Sequence, residues 1–286
     1  MGRVVPRQPG RRLQLVSRTR LGVWGDPIAH SKSPQMHTAA YAVLGLHWTY
    51  DRRRVDVETF DRTVRSLDGD WRGLSLTMPL KEVAHRHADV RDAHAELTGV
   101  VNTLLLGDRV AGFNTDIGGI IDALAENGIS EVGRVRLLGA GATAASALVA
   151  VADLGAHEVD VRARRPERAA ALMALGDRLG VPVTVGTFEE RSDGVDLTIA
   201  SLPGGAALDA DLVRPLAATG GALFDVAYSP WPSALAAGWT GGPTISGLGM
   251  LLHQAVRQIR VFLHGDPVTP LPDEPAVLAA MRAALD

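Results

Sequence analysis

The chain has 286 residues, 46% of them hydrophobic and 21% charged, enough for one large domain or two ordinary ones with a sizeable core. A formal net charge of -3 gives no electrostatic reason to expect nucleic acid or an anionic membrane as partner. There is no cysteine, which excludes disulfides, thiolate metal sites and cysteine nucleophiles; the histidines form no H-E-x-x-H, and His85 and His87 are wrongly spaced for one helical face, so no metal is expected.

Residues 1–20 carry six arginines, no acid and no apolar run of signal-peptide length, and are read as a disordered basic tail. No run of apolar residues is long enough for a membrane span, so cytoplasm is the default location. "RLGVWG" predicts a first strand, followed by a helix over "PQMHTAAYAVLGL" with Pro34 near its start. "WTYDRR" predicts a second strand and "DVETFDRTVRSL" a second helix capped by Asp56. "GLSLTM" is a third strand cut off by Pro79, "DVRDAHAEL" a helix, and "VVNTLLL" with "RVAGF" a strand pair. "NTDIGGIIDALAENG" is a helix ending at Gly128. The pattern then restarts as strand, glycine turn and helix in "RVRLLGAGATAASALVAVADLGA". It repeats in "EVDVRARRPERAAALMALGDRL" and again from "DLTIAS" and "ALFDVAYSP". "GLGMLLHQAVRQIRVFL" and "PAVLAAMRAAL" close the chain as two helices that complete the second unit or cross back to the first. Alternating strands and helices indicate α/β architecture with largely parallel sheets.

In "LLGAGATA", Gly139, Gly141 and Ala144 have G-x-G-x-x-A spacing after a strand and at a helix start. There a pyrophosphate can approach the backbone and meet unpaired N–H groups. NAD sites usually carry an acid at the end of the next strand. Here the nearest acid, Asp160, falls before the tip, and the tip offers Arg164, Arg165 and Arg168. Cations are disfavoured at a helix start, so an anionic guest explains them, and NADP is expected rather than NAD.

The first half then has to supply substrate contacts and a proton carrier. Only two of the 29 Lys and Arg residues are lysine, Lys32 and Lys81. Unlike a guanidinium, an ammonium can be tuned to give up its proton. Ser31 and Ser33 flank Lys32, while Thr77 and Lys81 flank Pro79; Asn102 follows "VV" in a predicted strand, and Asp116 follows "FNT" where the chain enters the linking helix. Two hydroxyls two residues apart in an extended loop can grip a carboxylate. Lys32 adds charge near that carboxylate or faces solvent.

Taken together, "GDPIAHSKSP", "SLTMPLKE", "VVNTLLL", "GFNTDIGG", "GAGATA", "DVAYSPWPSAL" and "GLGMLLHQA" resemble the shikimate dehydrogenases, in that family's order and over nearly the whole chain. The resemblance implies two α/β domains. One is a discontinuous substrate domain, residues 21–117 and 246–286, and the other an inserted Rossmann-type NADP domain, residues 118–245. It implies reversible NADPH-dependent reduction of 3-dehydroshikimate to shikimate, on the route to chorismate and aromatic amino acids, by a monomer or homodimer. It places Ser31 and Ser33 on the substrate carboxylate and Thr77, Asn102, Asp116 and Gln254 on the ring hydroxyls, with Tyr228 completing the pocket. Lys81 and Asp116 become the acid–base pair. Gly139, Ala140, Gly141, Ala142, Thr143, Arg164, Arg168 and Val226 become cofactor contacts, with Gly247 near the nicotinamide.

The chain departs from the family pattern at Ser75, where Asn is common, at "ARR" over 163–165, where Asn-Arg-Thr is common, and at "ASLPGG" over 200–205. Ala163 removes a side-chain bond to the adenosine ribose, Arg165 adds a charge contact, and the altered loop changes how the nicotinamide is covered. The alternatives are a quinate/shikimate dehydrogenase of broader substrate or NAD use and a non-catalytic NADP-binding regulator. The intact lysine–aspartate pair speaks against the regulator.

Overall fold

The computed structural model describes residues 19–202 and 208–285. Its elements run β1 (Arg20–Gly25), α1 (Ser33–Val43), β2 (Thr49–Arg54), α2 (Val57–Arg65), β3 (Trp71–Leu76), α3 (Lys81–His87), β4 (Val90–Arg91), α4 (Ala93–Thr98), β5 (Thr103–Leu105) and β6 (Ala111–Phe113). Then come α5 (Asp116–Glu126), β7 (Arg134–Leu138), α6 (Ala142–Asp153), β8 (Glu158–Arg162), α7 (Ala170–Leu179), β9 (Val183–Gly186), β10 (Leu197–Ala200) and α8 (Ala210–Ala218). Last are β11 (Ala222–Asp225), α9 (Ala234–Ala237), β12 (Thr244–Ser246), α10 (Leu248–His264) and α11 (Glu274–Ala283).

Two domains follow from two sheets. The first sheet has the order β2-β1-β3-β5-β6-β4. β1 runs parallel to β2 and β3, while β5 is antiparallel to both β3 and β6. Side chains alternate across β1: Leu21 and Val23 join a core under α1, α10 and α11, and Trp24 joins a second core with Phe60, Leu74 and Leu80. Edge strand β2 buries Tyr50 and exposes Asp51, Arg52, Arg53 and Arg54, which blunts its free edge. The second sheet, β12-β11-β10-β7-β8-β9, is wholly parallel. Its central strand β10 is buried along its whole length, as a strand covered on both faces must be.

Two helices join the sheets. α5 buries Ile117, Ile120, Ala123 and Leu124 in the core of the second sheet, whereas α10 buries Leu252, Ala255, Val256, Ile259 and Phe262 in the core of the first. They pack closely because a Cβ on Gly119 would stand 2.8 Å from Gln254 Cβ. The closing helices thus return to the first sheet, α11 lying against α1. Asp56 caps α2, its carboxylate accepting from the Thr59 N–H at 2.8 Å, and Gly128 follows α5 with φ +78°.

Some expectations need correction. The segment read as one helix over "DVRDAHAEL" is divided. Val90–Arg91 pairs with β6 as β4, and the helix starts only after Asp92, whose carboxylate accepts from Ala95 N–H. Of the expected tail, residues 1–18 lie outside the described residues, and Arg20 belongs to β1, paired with Thr49 and Trp71. Helix α3 and the edge strands β9 and β12 were not expected.

The first core also encloses a titratable group. His37 is fully buried, stacked on Tyr50 at 3.8 Å between ring centroids, with Nδ1 3.0 Å from Tyr41 Oη. Its Nε2 faces Gln258 without a hydrogen bond of normal geometry. Burial lowers its pKa from 6.5 to about 3, against a weaker opposing effect of Gln258. The folded protein therefore holds it neutral, while the unfolded chain takes up a proton below 6.5. Its contribution is intact at neutral pH and is lost as pH falls towards 3. Between pH 7 and pH 5 this site should lower unfolding free energy by about 2 kcal/mol. In urea titrations at both pH values, His37→Phe should show a correspondingly smaller pH dependence; equal dependence in the two proteins would acquit His37.

Candidate active site

In both sheets the chain reverses its direction of winding beside the first strand, and ligands bind at the carboxyl ends of strands at such switch points. In the first sheet the switch lies between β1 and β3. The loop after β1 carries Ser31 and leads into α1, whose first residue is Ser33, and the turn after β3 carries Thr77. The antiparallel β5 starts at the same edge with Asn102 just before it, and β6 ends there with Asn114, Thr115 and Asp116 following.

Lys81 and Asp116 meet at this edge. Lys81 Nζ donates to Asp116 Oδ2 at 2.6 Å, with side-chain exposures of 13% and 5%. Each is the first residue of its helix, α3 and α5. The helix dipole favours the carboxylate there and opposes the ammonium, so the position of Lys81 is explained by its partner and not by its helix. Asn102 Nδ2 donates to Asp116 Oδ1 at 2.8 Å and to Thr115 Oγ1 at 2.9 Å, and lies 3.5 Å from Gln254 Oε1. Asn102 Oδ1 accepts from Thr115 N–H at 3.0 Å and from Thr103 Oγ1 at 2.8 Å. Behind it, Ser75 Oγ donates to Gln258 Oε1 at 2.7 Å, and Gln258 Nε2 lies 3.4 Å from the Asn102 carbonyl. The structure thus brings together four of the expected residues, Lys81, Asn102, Asp116 and Gln254.

Thr77 stands one turn before Lys81, since Leu80 N–H bonds its carbonyl at 2.9 Å. Ser33 N–H donates to Ser31 Oγ at 3.3 Å, and Arg52 braces the loop through the carbonyls of Ala29 and Ser31 at 2.7 and 3.3 Å. The hydroxyls of Ser31, Ser33, Thr77 and Tyr228 donate to no described residue. No hydrogen bond joins the first three to the Lys81–Asp116 cluster. Lys32 Nζ donates to the Leu285 carbonyl at 2.9 Å, beside Gln35 capping Ala284, and so ties the serine loop to the end of α11.

In the second sheet the switch lies between β7 and β10. Gly139 has φ +107°, a conformation costly for any residue with a Cβ, and an added Cβ would stand 2.9 Å from Ser201 Oγ after β10. Ala140 packs on the domain core. Gly141 precedes α6, and a Cβ there would meet nothing within 4 Å. Together with Ala142 and Thr143 it presents an uncapped helix start to open space. Arg164, Arg165 and Arg168 are exposed and form no ion pair with any described residue. Asp160 is unavailable to a ligand, its two oxygens holding Arg136 at 3.0 Å and Arg162 at 2.7 Å. Val226 N–H donates to the carbonyl of Ala200, the last residue of β10, at 3.0 Å, and Gly247 packs against the Val226 carbonyl so closely that a Cβ would collide with it. Tyr228 is half-buried, and that burial raises its phenol pKa. The buried Asp225 orders this loop, accepting from Ala227 N–H at 3.0 Å and Ser233 Oγ at 2.5 Å. Residues 203–207 of the atypical loop lie outside the described residues.

Residues 23–104 match the family model described as the shikimate dehydrogenase substrate binding domain. The NADP-dependent shikimate dehydrogenase of Rubrobacter xylanophilus is 36% identical over 264 residues, covering 86% of this chain and 91% of the relative. That of Methanothermobacter thermautotrophicus is 34% identical over 259 residues with the same coverage. The chain belongs to the shikimate dehydrogenase family. Among solved structures of that family, the Mycobacterium tuberculosis enzyme has 39% identity and a TM-score of 0.80, covering 93% of this chain and 99% of that one. The Thermus thermophilus enzyme, solved in complex with NADP(H) and shikimate, has 31% identity, a TM-score of 0.74 and the same coverage.

Sequence reasoning missed Thr103, Asn114, Thr115, Asp225 and Gln258. Asn114 and Thr115 sit inside the quoted "GFNTDIGG", so a signal was present. Gln258 follows Gln254 by one helical turn on α10, which places the two on one face. Ser75, noted only as a departure from the family, is the partner of Gln258.

Proposed function

We propose that the chain catalyses the reversible NADPH-dependent reduction of 3-dehydroshikimate to shikimate, with Lys81 and Asp116 handling the proton. The observation that carries this reading is the shielded 2.6 Å ammonium–carboxylate pair at the carboxyl edge of the first sheet. Three supports stand beside it: the second sheet's glycine turn, its unpaired arginines, and sequence relatives over nearly the whole chain. We read residues 21–117 and 246–286 as the substrate domain and 118–245 as the cofactor domain. The site of action is the cytoplasm and the working form a monomer or homodimer.

The residues present fit a dinucleotide phosphate. Gly141 leaves open space next to the helix start, and Arg164, Arg165 and Arg168 are three exposed cations without an ion-pair partner among the described residues. Gly139, Ala140, Gly141, Ala142 and Thr143 would hold the pyrophosphate, the arginines would hold the 2′-phosphate, and Val226 and Gly247 would flank the nicotinamide end. NADPH supplies the hydride that reduces the carbonyl carbon. Ser31 and Ser33 direct their free hydroxyls to the substrate carboxylate. Thr77, Asn102, Asp116 and Gln254 take the ring hydroxyls, and Tyr228, kept protonated by burial, closes the pocket.

As the carbonyl oxygen becomes an alkoxide it has to gain a proton, and Lys81 delivers it from Nζ; in the reverse direction Lys81 receives it. Asp116 fixes the direction of that ammonium and leaves its other N–H bonds free. Asn102 in turn fixes Asp116.

Initial rates for shikimate and quinate, each with NADP and NAD, test the assignment. Shikimate with NADP should be fastest. No turnover with that pair would remove the reading, and comparable rates with quinate would place the chain among the broader quinate/shikimate enzymes. Lys81→Ala should lower kcat by ~10²- to 10⁴-fold with a smaller effect on substrate binding; a near-normal kcat would show that the proton travels by another route. Arg164→Ala should weaken NADPH binding and leave NADH binding almost unchanged in fluorescence titrations, whereas equal losses for both would show that Arg164 does not read the 2′-phosphate.

A further inference from the structure

Between the two halves of this site lies a buried amide to which no role has been given. Asn114, 2% exposed, follows β6 and precedes Asp116 by two residues. Its Nδ2 donates to Thr98 Oγ1 at the end of α4 and to Ser146 Oγ on α6, both at 3.0 Å. Its Oδ1 accepts from the Asp116 N–H at 3.2 Å. Ser146 is fully buried, one helical turn beyond Ala142, and its Oγ lies 3.4 Å from the Ala142 carbonyl. Thr98 Oγ1 donates onward to the His94 carbonyl at 2.7 Å, so it meets Asn114 as an acceptor.

Both amide hydrogens and the amide oxygen are therefore used, and in only one orientation. Turning the amide over would set its oxygen against Thr98 Oγ1, whose proton is committed to His94, and its NH₂ against the Asp116 N–H. Fully matched buried groups of this kind hold one geometry, because each alternative strands a donor or acceptor away from water. The three partners belong to different parts of the site. Asp116 is the carboxylate that orients Lys81, Ser146 stands on the helix whose start faces the proposed cofactor phosphates, and Thr98 belongs to the element between them. Packing alone does not require this arrangement, since an apolar pair of similar size at 114 and 146 would fill the same volume.

We infer that Asn114 is a positioning residue which, through Ser146, registers the cofactor-binding helix against the Asp116 carboxylate. Binding of the nucleotide at the start of α6 and placement of the proton-handling pair are thereby joined through one side chain. The inference rests on the proposed reaction for its kinetic consequence but not for its structural one, so the two are tested separately.

The test uses Asn114→Ala, Ser146→Ala and the double variant of the full-length chain. Loss of a buried bond on the alignment path should lower kcat by about tenfold or more for Asn114→Ala and a few-fold for Ser146→Ala. KM for shikimate and Kd for NADPH should stay near the parent values, and the double variant should be no slower than Asn114→Ala, because one link is cut twice. Parent-like kcat in Asn114→Ala, or losses that simply multiply, would overturn the inference. A merely structural role would lower thermal stability without this split between kcat and KM. Amide hydrogen exchange over residues 114–118 gives a readout independent of activity. Exchange should quicken in Ser146→Ala, although Ser146 lies on another domain's helix. Unchanged exchange there would overturn the tether even if the parent proved inactive on shikimate, while an inactive parent with quickened exchange would sink only the proposed reaction.

Discussion

An ammonium and a carboxylate held 2.6 Å apart, both largely out of water, constrain the rest of this structure. Desolvating two charges is expensive, and their attraction compensates only when geometry is good and the remaining lone pairs are matched. Here Asn102 matches the second carboxylate oxygen, and Thr103 and Thr115 fix Asn102. Three strands of the first sheet converge on that point. β3 ends in a tight turn that starts α3 at Lys81. The antiparallel β5 brings Asn102 to the same edge, and β6 releases the chain there so that α5 can start at Asp116. Replacing a buried ion pair by a well-packed hydrophobic pair is often neutral or stabilising, so fold stability alone is a weak reason for these charges.

The same constraint reaches the second sheet through the helices. α5 starts in the Lys81–Asp116 cluster and buries its apolar face in the core of the second sheet, while α10 starts after β12 and buries its face in the core of the first. Two such helices can lie in contact along their length only if one is stripped of side chains where they touch. Gly118 and Gly119 supply this, facing Arg257 and Gln254. Arg257 then pairs with Asp122 through two hydrogen bonds at 3.0 Å, fixing the register of the two helices. Gln254 reaches the cluster because that register is fixed.

Much of this was legible in the sequence, and for identifiable reasons. The glycine turn was readable because its constraint is local: a positive φ at Gly139 and an open helix start need only residues within a few positions. The alternation of strands and helices, the Asp56 cap and the glycine after α5 are local in the same sense. Lys81, Asn102 and Asp116 came from motifs whose residue types match their chemistry. What escaped was set by distant partners. Helix α3 opens on a cation, the reverse of the usual signal, because Asp116, 35 positions away, decides where Lys81 stands. The Asn114–Ser146 bond spans 32 positions and two domains. Lys32, flanked by two serines in sequence, finds its partner 253 positions away at Leu285. The expectation for Asp160 held by strand position alone, but the reason for its unavailability, a buried triad with Arg136 and Arg162, needed three neighbouring positions on two strands.

The scarcity of lysine acquires a physical meaning in this setting. At three places where a cation fastens two elements the chain uses arginine with two prongs: Arg134 on Glu158, Arg257 on Asp122 and Arg260 on Glu274 each make two bonds to one carboxylate. A planar fork suits that task because both bonds form at once and the charge is permanent. At position 81 the same fork would hold Asp116 in both hands and could not cycle a proton at neutral pH. A lysine engages Asp116 through one N–H, is aimed by it, and keeps two donors for a substrate oxygen. Among the described residues Lys32 also makes a single side-chain bond, but to a neutral carbonyl and with no ion pair. The two lysines therefore share a reason for not being arginine only in part: both need a slender reach to one atom, and Lys81, in the proposed reaction, also needs a proton that can leave.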